Sequence, residues 1–176
     1  MLPIRSEGLV LRSFRDSDAG DFARAARESV DTVGRWMPWC TAVFSEADAR
    51  NWFRQCRASR RAGTGYELGV FSALTGELLG GAALNAIQRH NRFCNLGYWV
   101  RQSAQRQGVA LRTLRALLPL AFDGLGMQRV EIVVAVGNEP SAALARKAGA
   151  LFEGTARNRL QLHGRAVPAW MFSLVP

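Results

Sequence analysis

Apolar positions along this chain follow two periods, and the switches between them predict its elements. Residues 7–12 place Leu9 and Leu11 on one face, the two-residue repeat of a strand. Ala19, Phe22, Ala23 and Ala26 then fall on a helical stripe, with Asp16 or Ser17 as the cap of a helix reaching about Ser29. Trp36-Met37-Pro38-Trp39 breaks the pattern and reads as an irregular aromatic turn. Ser45 opens a second helix. Its first turn carries Glu46 and Asp48, Trp52 and Phe53 anchor it, and Gly63-Thr64-Gly65 ends it. Strand-like stretches follow at residues 66–72, 78–87 and 93–100, the first two joined by a turn at Ala73-Leu74-Thr75-Gly76. A helix over residues 108–122 should be kinked by Pro119, which lacks a backbone donor. Gly124 and Gly126 stop it. Residues 130–136 form a buried β-branched strand, 138–148 a short helix, and 150–159 and 169–175 two last strands. This alternation predicts one α/β (α+β) domain over residues 1–176, with a mixed sheet and a crossover helix.

Composition narrows the class. The 176 residues are 48% hydrophobic, enough for a packed core. The longest apolar candidate, residues 109–122, is interrupted by Arg112 and Arg115, so no membrane helix is expected. The N-terminus lacks a basic segment followed by an apolar one, so no signal peptide is expected and a cytoplasmic protein is the default. Cys40, Cys56 and Cys94 are odd in number and unpaired in spacing, and only His90 and His163 could add imidazole ligands; neither a disulfide framework nor a metal site is expected. The net charge is +9, and Lys147 is the only lysine among 23 basic residues. The arginines are spread along the chain, which favours a solvated basic surface first, an anionic cofactor second, and nucleic acid last because no binding motif accompanies the charge.

The candidate chemistry lies between the strand at 93–100 and the helix that follows. Gln105-Arg106-Gln107-Gly108-Val109-Ala110 puts small residues at a helix N-terminus, where unpaired amides and the dipole favour an anion. Arg101, Arg106 and Arg112 add positive charge nearby. On spacing alone the segment is a pyrophosphate cradle or an ordinary solvated loop.

Gln105-x-x-Gly108-x-Ala110 resembles the Arg/Gln-x-x-Gly-x-Gly/Ala signature of the GNAT N-acetyltransferases. Leu96-Gly97-Tyr98-Trp99-Val100, Asn138-Glu139-Pro140-Ser141, Leu144 through Gly149, Glu153-Gly154, and the segments around Leu9–Asp18 and Trp36-Met37-Pro38-Trp39 resemble the RimJ/RimL-like branch, which acts on ribosomal-protein N-termini. The resemblance implies a GNAT fold: a twisted mixed sheet of about seven strands flanked by helices, its fourth and fifth strands splayed. Acetyl-CoA would be the co-substrate, with no metal. Its pyrophosphate would meet Gln105, Arg106, Gln107, Gly108, Val109 and Ala110, and its pantetheine the backbones of Tyr98, Trp99 and Val100 together with Asn138. The Val100 amide would stabilise the oxyanion formed when a primary amine attacks directly in a ternary complex. Ser141 would donate to the departing thiolate.

Two departures from the family pattern limit the reading. The tyrosine that many relatives place in the helix after Asn138 is Ala145 here, and the carboxylate proposed as base in the RimL-like enzymes falls on Leu160. Glu67, Glu153, His90 and a water held by Asn85 remain as base candidates. An acetyltransferase of a protein N-terminal α-amine is therefore expected. The alternatives are a small-molecule amine as acceptor and a non-catalytic acyl-CoA sensor. The acceptor pocket is expected from the N-terminal helices, Trp36–Trp39 and the last hairpin. Neither the oligomeric state, with a homodimer left open, nor the use of longer acyl groups is legible in the sequence.

Overall fold

The computed structural model describes residues 2–176. Eight strands form one sheet in the order β1-β2-β3-β4-β5-β6-β8-β7. They are β1 (Ile4–Ser6), β2 (Leu9–Arg12), β3 (Tyr66–Ser72), β4 (Leu78–Gln88), β5 (Phe93–Val100), β6 (Arg129–Ala135), β7 (Leu151–Leu162) and β8 (Arg165–Leu174). Four helices, α1 (Ala19–Glu28), α2 (Glu46–Ala62), α3 (Val109–Pro119) and α4 (Glu139–Lys147), cover its two faces. Every neighbouring pair is antiparallel except β5 and β6.

The sheet has eight strands where about seven were expected. Residues 7–12 do not form one strand. Glu7 (φ 46°) and Gly8 (φ 78°) are both left-handed and fold residues 4–12 into a tight hairpin. The splayed pair is accordingly the fifth and sixth strand. The last two strands are longer than their apolar pattern predicts, because His163 and Gly164 (φ 48° and 76°) close a hairpin that pairs out to Leu162 and Arg165.

Helix ends follow side-chain chemistry. Ser45 and Asp48 cap α2 reciprocally, Ser45 Oγ accepting from the Asp48 amide at 3.1 Å and the Ser45 amide donating to Asp48 Oδ2 at 2.9 Å. The entry to α1 differs from expectation. A 3₁₀ turn at Asp16–Asp18 precedes the helix, and Asp18, rather than Asp16 or Ser17, accepts from the Arg15 amide at 2.7 Å. The Arg12 guanidinium grips the same carboxylate, holding it below its usual range against the opposing effect of burial. Pro119 ends α3 as a regular helix, and the chain continues through a wide π turn at Leu120–Gly124.

Two cores sandwich the sheet. Leu9, Leu11, Leu68, Leu84, Leu96, Val130 and Ile132 pack under α3 and α4 through Leu114, Leu117, Ala142 and Ala145. On the other face Phe14, Phe22, Phe53 and Phe71 pack with α1 and α2. Among the described residues no helix is long and apolar enough to cross a membrane.

Candidate active site

β5 and β6 pair only through Phe93–Arg129, Cys94–Val130 and Asn95–Glu131, and beyond Asn95 they part. β5 nevertheless stays paired with β4 to its end, Val100 lying opposite Gly80. The Arg101 amide donates to the Leu79 carbonyl at 2.9 Å, which makes Val100–Gly80 a non-hydrogen-bonded pair. Peptide directions alternate along a strand. The amides and carbonyls of Tyr98 and Val100 therefore point away from β4 into the gap, whereas those of Trp99 point to β4. Of the three backbones expected to meet pantetheine, Tyr98 and Val100 face the gap. Trp99 instead contributes its side chain to the opposite face, edge-on to Phe22 and Trp39 at 5.3 Å each. Gly80 is required here: a Cβ on it would lie 2.1 Å from the Trp99 carbonyl oxygen.

At the end of the gap the loop turns into α3. Arg106 (φ 60°) and Gly108 (φ 73°) are left-handed, and a Cβ on Gly108 would meet nothing within 4 Å. Arg112 makes the first backbone bond back into the loop, to Gly108 at 3.1 Å. Among the described residues the amides of Arg106 through Ala110 donate to no protein acceptor. Gln105 does something else. Its own amide donates to Gln102 at 3.2 Å, and its side-chain Nε2 to Val100 O and Thr32 Oγ1 at 3.0 and 3.1 Å, so it braces the loop.

Arg101 does not add free charge to the loop. It is buried and bonded to Glu28 at 2.8 and 2.6 Å and to Glu77 at 2.8 Å. Glu28 also accepts from the Ser103 amide and hydroxyl, and the Arg101 guanidinium pulls its pKa down to about 2. Buried Ser29 accepts from the Gln102 amide at 3.0 Å. The C-terminal end of α1 thus clamps the loop, a support that nothing in the local sequence pattern signalled. The Arg112 guanidinium ties the loop's far side to the Glu7 carbonyl at 2.6 Å and to the Gln107 carbonyl at 3.3 Å, and so holds its charge beside the loop.

Across the gap Asn138 caps α4, its Oδ1 accepting from the Ser141 amide at 3.3 Å. Ser141 Oγ lies 2.8 Å from the Tyr98 hydroxyl. Ala145, where many relatives carry a tyrosine, is fully buried in the core.

The base candidates separate by position. Glu153 is bound by Arg129 and Ser173, which hold its carboxyl at about 2 and make it a poor proton acceptor. His90 sits in the β4–β5 turn at the opposite end of β5, about 23 Å from Val100 at the usual strand rise. Asn85 accepts from Asn95 at 2.9 Å on the α1/α2 face. Glu67 lies in register with Ala83 and Gly97, two strands from the gap, with Oε2 buried and unpartnered and its pKa raised by burial. Leu160 pairs with Val167 beyond a bulge in β7. None of these candidates is both unpartnered and beside the gap.

A cavity of about 500 Å³ lies between the α1–α2 connection and the tip of the β7–β8 hairpin, bounded by Asp31, Arg35, Pro38 and His163. His163 Nε2 is 3.1 Å from the Gly34 carbonyl. Trp39 packs on Phe22, Phe44 and Trp99 but stays 36% exposed, at the rim of that aromatic core.

The whole fold is shared with known proteins. The family model for the acetyltransferase (GNAT) domain matches residues 8–151. The chain belongs to the GNAT acetyltransferase family. A solved structure described as "a putative ribosomal-protein-serine acetyltransferase from Vibrio cholerae" superposes with a TM-score of 0.89 at 33% identity, over 100% of both chains. The "putative ribosomal N-acetyltransferase YdaF" of Bacillus subtilis is 29% identical over 90% of this chain and 86% of its own. The ribosomal-protein-serine acetyltransferase of Escherichia coli is 25% identical over 85% of this chain and 82% of its own. As a GNAT N-acetyltransferase the protein takes its acyl group from acetyl-CoA. The unpartnered amides of residues 106–110 and the gap-facing peptides of Tyr98 and Val100 fit that co-substrate. Among the described residues no group of side chains could hold a metal.

Proposed function

We propose that this GNAT enzyme acetylates the N-terminal α-amine of a protein. The observation that carries the reading is that none of the expected bases is both free and beside the gap. Leu160 occupies the position of the expected base, and Glu153 is locked by Arg129. An α-amine with a pKa near 8 is about one-tenth neutral at pH 7, whereas a lysine side chain at about 10.4 is almost wholly protonated. A site without a strong base therefore suits the α-amine, which can lose its proton to water. The names of the relatives point the same way.

Bound acetyl-CoA supplies the thioester. The amides of residues 106–110 would hold its pyrophosphate, and the Tyr98 peptide and the Val100 amide its pantetheine as an added strand, the Val100 carbonyl being taken by Gln105. The Val100 amide would donate to the carbonyl oxygen as charge develops there, an effect worth on the order of 3 kcal/mol in other enzymes. Ser141 would donate to the leaving sulfur, and Asn138 would contact pantetheine beside it. Arg35 bounds the cavity beside Asp31, and Arg157, Arg159 and Arg165 lie on the β7–β8 hairpin whose tip closes it, all four without a salt bridge among the described residues. Such a rim suits an acceptor with acidic residues behind its first amine. The reading carries a cytoplasmic setting, with which three unpaired buried cysteines accord.

Thiol release measured over a panel of peptides, lysine side chains and polyamines tests it. Peptide α-amines with acidic second and third residues should turn over fastest, with rates that fall as salt rises. Preference for polyamines or lysine would refute the acceptor class. Acetyl-CoA binding without release on any amine would support the sensor reading that Leu160 and Ala145 keep in view.

A further inference from the structure

Tyr98 is the one β5 side chain that hydrogen-bonds to α4 among the described residues, its hydroxyl lying closest to Ser141 Oγ. We propose that Tyr98 is a positioning residue for acyl transfer, its phenol fixing the Ser141 hydroxyl in the orientation that donates to the departing sulfur. This rests on the reading of Ser141 as the thiolate's donor.

Each hydroxyl carries one proton. Ser141 cannot spend its proton on both Tyr98 and a sulfur. With a sulfur in the gap, Ser141 turns its proton outward and its oxygen accepts from Tyr98 at 2.8 Å. The other acceptor within reach, the Ser141 carbonyl, is 3.4 Å away, so the short bond goes to Oγ. A donating phenol also polarises the serine O–H and strengthens its bond to developing negative charge. Burial raises the Tyr98 pKa, so the phenol keeps its proton wherever the enzyme works. No proton moves through Tyr98. A C–N bond forms, the C–S bond breaks, the nitrogen's proton passes to water, and the sulfur leaves as a thiolate bonded to Ser141.

The test is a double-mutant cycle of Tyr98→Phe and Ser141→Ala, read as thiol release with a reactive peptide amine. Tyr98→Phe should lower kcat roughly three- to tenfold, the worth of one hydrogen bond. The KM for acetyl-CoA should stay within about twofold, and in Ser141→Ala the same change should cost nothing further. Equal losses in both backgrounds, or a loss confined to KM, would overturn the proposal. If Ser141→Ala is slow while Tyr98→Phe is unaffected, only the role of Tyr98 falls; if Ser141→Ala keeps full kcat, the underlying reading falls with it.

A shape-preserving probe covers misfolding of the phenylalanine variant. The chain has 2 tyrosines, so a polyfluorinated tyrosine incorporated into Tyr66→Phe protein alters Tyr98 alone. The acidified phenol should then lose its proton within the working range and add an alkaline fall in kcat that the unfluorinated protein lacks. An alkaline profile identical to that of the unfluorinated protein would overturn the proposal.

Discussion

Replacing Glu28 by glutamine should loosen the clamp on the phosphate loop by an amount the structure allows to be worked out. Glu28 accepts from Arg101 Nε at 2.8 Å, Arg101 Nη2 at 2.6 Å, Ser103 N at 3.2 Å and Ser103 Oγ at 2.7 Å. Its pKa falls from 4.5 to about 2, chiefly through the Arg101 bonds. At 1.36 kcal/mol per unit that is about 3.4 kcal/mol. Its side chain is 31% exposed, and solvent screening brings the expected value to about 2 kcal/mol. Glutamine keeps the shape and one acceptor oxygen but not the charge. Urea titrations at pH 7 should show this loss, and the melting temperature should fall by about 4–8 °C. The sign of the pH dependence follows from the depressed pKa. The stabilisation is complete above the unfolded value of 4.5 and disappears as pH falls towards about 2. The gap between wild type and Glu28→Gln should therefore be level from pH 8 to 6 and more than halved by about pH 3. A gap that stays level to pH 3, or none at pH 7, would refute the reasoning.

Three further outcomes are expected. Gly108→Glu sets a negative charge at the unpartnered amides and a side chain at φ 73°, so acetyl-CoA affinity by calorimetry should weaken by roughly tenfold or more; unchanged affinity would remove the loop from the site. Gly80→Ala forces a Cβ to within 2.1 Å of the Trp99 carbonyl and should cost about 1–3 kcal/mol in urea unfolding while impairing acetyl-CoA binding, because β4 must move away from β5. Cys40, Cys56 and Cys94 are buried, with thiols pushed up to about 11, 12 and 11, so a disulfide reagent at pH 8 should react slowly with native protein and with three thiols once urea is added. Fast reaction of native protein would contradict that burial.

Much of this architecture was legible because it is local. β5 has the predicted bounds, and the cap of α2 and the strand–loop–helix around Gly108 follow from short-range rules. The misses have physical reasons. Glu7 is not a turn-former, so the first hairpin gave no signal until Gly8 was seen folded with it. The His163-Gly164 turn was present in the sequence, but the polar stretch around it, with its bulge at Asn158, hid the strand pattern. The clamp joins Glu28 to Arg101, 73 residues apart, and no periodicity connects them. For the same reason Arg101 read as one of three positive charges near the loop, when it is a buried tether. The partnership of Tyr98 with Ser141 spans 43 residues and the open gap itself. Trp99 could be assigned to its proper side only once the register of β4 and β5 was known.

That register has a consequence for how this enzyme tolerates change. The groups that Tyr98 and Val100 turn into the gap are peptide groups, common to every residue except proline. Side chains on β5 can drift without erasing the donors and acceptors they frame, so the cofactor groove is protected from most single substitutions. What it cannot survive is a slip of β5 by one residue along β4. Such a slip would turn the Trp99 peptide into the gap, bury those of its neighbours against β4, and carry the phenol of Tyr98 to the far face of the sheet. The inheritance this fold must guard is an alignment between two strands, and bare positions such as Gly80, where they touch most closely, guard it as much as any reactive side chain.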